Sequence, residues 1–310
     1  MKSVFSNKKR RFLNIVYYKI DKIKEIDLVC LSEISKVSNF AIETKKRFKE
    51  KKLFTILLLV ITVSAFAQQS VIDTVRYRFS YAIKGTLAET SKKQYDDELS
   101  VDIGDSVTYC YSRWQKDNDE LWKKIKASGG SANDFLAQQG PMSLYNEEDI
   151  KHYPNRRSLT VITALYKDFI YSENMPEMNW ELVAGDTLIL DNPCKKAECT
   201  FRGRTWYAWY AMSIPIHDGP WKLGGLPGMI LYAKDKKGQF SFECIGIKTH
   251  VNTPMEVELR KALKSTPLKV QKLKQLQEGN YEAYSKAMGI KGIYYGSKSK
   301  SRVACLKEYY

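Results

Sequence analysis

Alternation with a period of two dominates the middle of the chain. From Thr74 to Ile83, Val75, Tyr77, Phe79 and Tyr81 fall at every second position, the pattern of a strand with one buried face. Leu99, Val101 and Ile103 alternate again, and Gly104-Asp105-Ser106 supplies a turn into a strand over Val107–Tyr111. The period then changes. Leu121, Trp122 and Ile125 predict a helix over Asp117–Ala127, ended by Gly129-Gly130. Residues 131–157 are polar and irregular, with a helical turn or two around Phe135 and Leu136. Ser158–Tyr166 is rich in β-branched residues and continues in Phe169–Tyr171 beyond a bend at Lys167-Asp168. Trp180–Val183 and Thr187–Leu190 read as two strands about a Gly185-Asp186 turn. Glu198–Arg202 and Arg204–Ala211 read likewise about Gly203, and Met229–Ala233 and Gln239–Ile247 about Asp235–Gly238. Nine or ten strands at this short spacing predict a mainly β (α+β) fold, an antiparallel meander forming a curved half-barrel or barrel.

Beyond residue 250 the period lengthens. Thr253-Pro254-Met255-Glu256 reads as a capping box with Pro at the first helical position, and Met255, Leu259, Ala262 and Leu263 share one face of the predicted helix. Thr266-Pro267 opens a second helix, ended by Gly279, and Asn280 caps a third containing Tyr281, Tyr284 and Met288. The expected organisation is an antiparallel β domain over 68–250 followed by a basic helical C-terminal extension over 251–310, its amphipathic helices packed on the sheet.

The start of the chain carries a different signal. The basic run Lys45–Lys52 precedes an apolar stretch from Leu53 to Val63, and Ser64-Ala65-Phe66-Ala67 ends in Ala-x-Ala. This is the three-part pattern of a secretory signal peptide, with cleavage expected after Ala67. The uncharged stretch is about 15 residues, short of the roughly 20 that a spanning helix needs. Gln68, not Cys, follows the cleavage site, which excludes lipoprotein-type acylation there. Residues 1–52 form a basic N-terminal extension, and 53–67 hold the apolar core and cleavage site. The 44 residues ahead of the basic run point to a coding start assigned too far upstream, although no Met stands just before Lys51. The expected location is the periplasm or the outer-membrane or cell surface, with no transmembrane segment after cleavage.

Charge narrows the function classes. The net charge of +15 divides into +9 over residues 1–67 (15 basic, 6 acidic), −1 over 68–250 (23 and 24) and +7 over 251–310 (12 and 5). A neutral central body argues against nucleic-acid binding despite the overall basicity. The five cysteines after residue 67, Cys110, Cys194, Cys199, Cys244 and Cys305, are odd in number, so at least one stays free or pairs outside the chain. Cys194 and Cys199 would stand roughly 17 Å apart on a straight strand, so they bridge only if the chain bends between them. No Cys or His pairs occur at finger spacing, and no metal or other cofactor is expected.

The most unusual composition lies between 203 and 231. An aromatic strand, with Trp206, Tyr207, Trp209 and Tyr210, leads into Ile214-Pro215-Ile216 and then Gly219-Pro220-Trp221-Lys222-Leu223-Gly224-Gly225-Leu226-Pro227-Gly228-Met229-Ile230-Leu231. Gly224, Gly225 and Gly228 around the fixed torsion of Pro227 predict a tight, rigid corner into the strand from Met229. A phosphate-cradling loop is excluded, because Gly-Lys-Ser/Thr is missing and a strand follows where a helix should begin. This stretch resembles the GLPGLI family of exported bacterial envelope proteins, whose hexapeptide stands here as Gly225 to Ile230 with Met229 in place of Leu. The upstream Cys194-Lys195-Lys196-Ala197, the aromatic strand, the Ile-Pro element and Gly-Pro-Trp-Lys follow in the family's order. The resemblance implies an exported, β-rich protein without an established activity and carries over no catalytic residue.

Parity places Trp206 and Tyr210 on one face of their strand and Tyr207 and Trp209 on the other. Core packing explains large aromatics on both faces. A ligand wall, with Trp221 nearby, is the functional alternative. His217, Asp218 and Ser213 can be written down as a hydrolytic set, but residues so close on one loop rarely assemble as a triad and Gly-x-Ser-x-Gly is absent. The expectation is a non-enzymatic binding or carrier module for an apolar ligand or a peptide. The alternative is a structural or interaction component of an outer-membrane-associated complex.

Overall fold

The computed structural model describes residues 70–89, 93–258, 262–290 and 305–310, all within one compact unit spanning Ala67–Tyr310. The predicted leader and N-terminal extension lie outside the described residues. Twelve strands make a single sheet: β1 (Ser70–Thr86), β2 (Gln94–Ile103), β3 (Thr108–Ser112), β4 (Glu147–Lys151), β5 (Ser158–Ala164), β6 (Asp168–Asn174), β7 (Glu181–Ile189), β8 (Asn192–Phe201), β9 (Arg204–Ala211), β10 (Met229–Asp235), β11 (Phe240–Val257) and β12 (Leu263–Lys264). Their spatial order is β12-β6-β5-β4-β3-β2-β1-β11-β10-β9-β8-β7, so the chain meanders outward to one edge and β11 returns to pair with β1 at the centre. Neighbours are antiparallel except β12, which runs parallel to β6. The fold is mainly β, an open, mixed, curved half-barrel.

The curl is measurable from one ion pair. β6 and β8 lie nine strand steps apart in the order, about 43 Å in a flat sheet. Yet Glu173 of β6 meets Arg202, just beyond β8, at 2.8 Å. The inner face so formed holds Phe79, Tyr81, Leu99, Val101, Trp206, Tyr210, Trp221 and Phe242 in the largest core cluster. On the outer face Val75, Tyr109, Tyr111, Ile150, Met255 and Val257 form a second.

Among the described residues, four helices attach to this sheet. Ser112 caps α1 (Arg113–Ala127), its side chain accepting from Gln115 N, and Ser131 with Asp134 makes a reciprocal box at α2 (Ala132–Gln138). Thr266 caps α3 (Pro267–Gly279), with Pro267 in its first turn. Asn280 caps α4 (Tyr281–Met288), and Gly289 ends it in the left-handed conformation, φ 69°. Val270, Leu273, Tyr284 and Met288 of α3 and α4 pack against Leu159, Val161, Phe169 and Tyr171 of β5 and β6.

Three expectations need correction. The capping-box sequence at 253–256 is not helical: it is the end of β11, with Val75 opposite Thr253, Thr74 opposite Pro254 and Asp73 opposite Met255. A cap contributes about 1 kcal/mol, less than the ladder plus the burial of Met255 and Val257, each worth about 1.5–3 kcal/mol; both are almost fully buried. β11 therefore runs to Val257 and β12 adds Leu263–Lys264, both past the expected boundary at 250. Glu181–Ile189 is one strand rather than two, because Gly185 (φ 127°) accommodates a register shift between Val183 and Thr187 without reversing the chain. β4 has no counterpart among the expected strands, since Glu147-Glu148-Asp149-Ile150-Lys151 has one apolar residue in five. All five described cysteines are buried and free, as the continuous β8 holds Cys194 and Cys199 apart.

Candidate functional site

The segment between β9 and β10 lies inside the curl. Lys151 Nζ, on the inner face of β4, donates to Gly219 O at 2.8 Å, to Leu223 O at 2.7 Å and to Asp218 Oδ1. Thr108 Oγ1 reaches Asp218 Oδ2 at 2.7 Å, and Gly219 N returns to Asp218 Oδ1 at 2.7 Å. Burial works against the ammonium of Lys151, but Asp218, Cys110 and Asp149 together outweigh it and the pKa is raised. Backbone bonds Gly225 N to His217 O and Ile230 N to Asp218 O, both 3.0 Å, close the corner, and Trp180 Nε1 donates to Gly224 O at 2.8 Å. Leu226, Met229 and Ile230 point into the core, and a side chain on Gly219 would press on Ile230 at 2.9 Å. Pro220 is buried, while Pro227 at the tip is exposed.

The aromatic residues named as a ligand wall separate by face. Trp206 and Trp221 are 0% exposed and Tyr210 is 1% exposed; the two indoles lie 5.3 Å apart between centroids, with Phe242 beside them. Trp209 and Tyr207 face outward, sharing Lys196 at 5.1 and 4.6 Å from their ring centroids. Trp209 also donates to Gly185 O at 2.8 Å and packs on Tyr232. None of the five lines either of the two cavities described below. His217 is exposed. Asp218 is committed to Lys151 and Thr108, and Ser213 to Asn192; among the described residues no bond links His217 to either.

The larger cavity has no forerunner in the sequence reading. It is a cleft of about 740 Å³ between α1 and the outer face of β1, β2, β3 and β11. Its floor is the polar half of the strand alternation: Arg78 and Ser80, then Glu98, Ser100 and Asp102. Arg78 grips Asp102 through two bonds of 2.6 and 2.7 Å, and Tyr111 donates to the same carboxylate at 3.1 Å. Tyr109 and Tyr111 lie 4.6 Å apart, with Lys116 of α1 at 6.0 and 5.7 Å from their ring centroids. Tyr109 donates to Glu148, whose carboxyl burial raises above the ordinary carboxylate range. Arg113 of α1 closes on Glu98 at 2.8 Å. With Lys123, Lys124, Lys248, Asp117, Glu120 and Glu256, the lining holds six cations and five carboxylates. The legible signal was charge confined to the second face of strands whose first face is apolar. What joins those residues is the placement of α1, which no local pattern encodes.

A smaller cavity of about 30 Å³ lies on the inner face, between α3, Glu147, Tyr171, Leu306, Lys307, Glu308 and Tyr310. Among the described residues no group of three or more His, Cys, Asp or Glu side chains is arranged to hold a metal. Among them, too, no helix is long and apolar enough to cross a membrane.

No curated protein matches the chain. Two solved structures of PNGF-II, in a P21 and a C2 space group, are similar over 64% and 66% of this chain, at 15% and 14% identity and TM-scores of 0.41 and 0.39. The chain spans about one third of their length, 32% and 34%. Residues 145–232 match the model of a family described as a protein of unknown function (Porph_ging).

Proposed function

We propose that this chain is an exported, non-enzymatic binding protein of the GLPGLI kind, holding an extended peptide segment of mixed charge in the cleft between α1 and the sheet. The family assignment is supported by the hexapeptide at 225–230, which falls inside the matched range 145–232. Export rests on the Ala-x-Ala leader ending at Ala67. The observation that carries the binding reading is the cleft, about 740 Å³ and lined by six cations, five carboxylates and a tyrosine pair. Ligand sites fall commonly between about 300 and 1,000 Å³. Opposite charges set along both walls suit a polypeptide whose own side chains alternate in sign, better than they suit an apolar molecule. The packed interior around Trp206 and Trp221 leaves the apolar-ligand form of the reading without a described cavity.

The second reading, an interaction component, is favoured by β7. This edge strand is exposed on both faces, with Leu182 68% and Leu188 63% exposed, and an unpaired edge of this kind is a template for strand addition.

Native mass spectrometry of chain 68–310 recovered from a bacterial envelope distinguishes the two. The cleft reading expects bound peptide that is lost in a Lys116→Glu/Lys248→Glu variant and kept in Leu182→Lys/Leu188→Lys. A bare mass from a folded sample overturns it. A co-purifying protein lost only in the leucine variant favours the edge.

A further inference from the structure

Residues 305–310 cross the inner face as a strip whose contacts are mostly charged. Lys307 pairs with Glu147 of β4 and stands 3.8 Å from the centroid of the Tyr145 ring. Glu308 pairs with Lys222 and, at 2.7 Å, with Arg202. The Tyr310 hydroxyl meets Glu173 at 3.0 Å and Lys222 at 3.1 Å, and Arg202 lies 4.1 Å from its ring centroid. Main-chain bonds hold the strip near both ends: Cys305 N to Leu87 O and Tyr309 N to Arg202 O, both 2.9 Å. Arg204 Nε donates to Leu306 O at 2.5 Å, and Tyr310 N donates to Gln271 of α3 at 2.7 Å.

We propose that this strip occupies a peptide-recognition groove, which reads an extended segment bearing a cation, then a carboxylate, then a phenol two residues on, and that Cys305–Tyr310 is its resident ligand. The wall of the groove is charged before any ligand is counted. The Lys222 side chain is 0% exposed and that of Glu147 is 2% exposed. Stripped of 305–310, Lys222 keeps, among the described residues, only Glu173 at 3.4 Å as a carboxylate partner, and Glu147 only Lys274 as a cation partner. A buried charge that loses its partner is costly, so an apolar segment cannot replace the strip, whereas one with the same order of charges can. Fixed main-chain anchors with side-chain pockets between them are the means by which grooves read extended peptides. The seam is also incompletely packed: the cavity of about 30 Å³ lies between the strip and α3, where a core element would be closely fitted. This groove lies on the opposite face of the sheet from the cleft and stands independently of it.

The test uses chain 68–310 carrying a protease site between residues 291 and 304, folded intact and then cut. The probe is a fluorescent peptide of the sequence Cys305–Tyr310, followed by anisotropy, with circular dichroism reporting the fold. The uncut chain is expected to bind no probe. The cut chain is expected to exchange its strip for the probe, and a probe with the Glu308→Lys change should bind at least about ten-fold more weakly, or about 1.4 kcal/mol. An Arg202→Ala chain, cut in the same way, should weaken the unaltered probe. Equal binding by cut and uncut chains overturns the proposal. So does a folded, cut chain that takes up no probe, or one indifferent to the charge at position 308.

Discussion

At Asp149 two effects push in one direction: burial and then the neighbouring Glu147 carboxylate raise its pKa to about 6, from about 3.9 in an unfolded chain. Glu147 moves the other way. Burial opposes its charge, but Lys274, Lys307 and Lys222 outweigh that and hold its pKa well below the usual carboxylate range. Between about pH 4 and pH 6 the folded protein keeps a proton on Asp149 that the unfolded chain releases. The stability this provides is present at acid pH and lost as pH rises through about 6. An asparagine in place of Asp149 cannot titrate and keeps an oxygen for the Tyr145 hydroxyl, now 3.1 Å from Asp149 Oδ2. Asp149→Asn should therefore gain about 3 kcal/mol on the wild type between about pH 4 and pH 7, for roughly two pKa units of difference. Urea unfolding of both proteins at the two pH values measures it, and a difference independent of pH contradicts it. These residues were invisible as core in the sequence because charge predicts exposure. A retained proton makes the burial of Asp149 tolerable, and a partner brought from elsewhere does so for a charge, as Asp218 does for Lys151.

The corner from Gly219 to Ile230 behaves as one element, and its glycines serve it differently. A Cβ on Gly228 would lie 2.2 Å from Ala211 O, a backbone atom that cannot swing aside. At Gly225 nothing lies within 4 Å, but φ is +85°, and a side chain there costs about 1 kcal/mol in strain. Gly228→Ala should thus destabilise by about 3 kcal/mol or more, forcing β9 and β10 apart, and Gly225→Ala by about 1 kcal/mol; thermal melts of the two variants separate them. Equal effects would mean that the corner is held by its backbone angles alone. Elements with a strong local signature are legible in the sequence: α3 begins at its Thr266-Pro267 signal, and β1, β5, β9 and β10 begin and end near their apolar runs. The helix expected from Thr253 fails for a non-local reason, since β1 extends to Ser70 and offers Ser70–Val75 as a pairing surface.

The whole molecule is organised about β1 and β11, strands of 17 and 18 residues paired along nearly their entire length. β7 has one neighbour and β12 pairs through two residues. Amide hydrogen exchange should follow that gradient, slowest in Phe79–Ile83 and Phe242–Cys244, faster by orders of magnitude in Glu181–Ile189. Uniform protection across the sheet would contradict a structure in which β7 pairs with a single strand and β12 through two residues. The sequence by itself determined the class of fold, most strand and helix positions and the Gly/Pro corner. Each of these follows from residues adjacent in the chain, through side-chain periodicity, caps or backbone torsion. How far the sheet curls, the buried charge network, the cleft beneath α1 and the seat of residues 305–310 were decided by tertiary structure. They depend on Glu173 meeting Arg202, Lys151 meeting Asp218 and Glu147 meeting Lys307, over separations of 29, 67 and 160 residues. Burying such charges is favourable only once both partners are in place, a condition that no local stretch of sequence expresses.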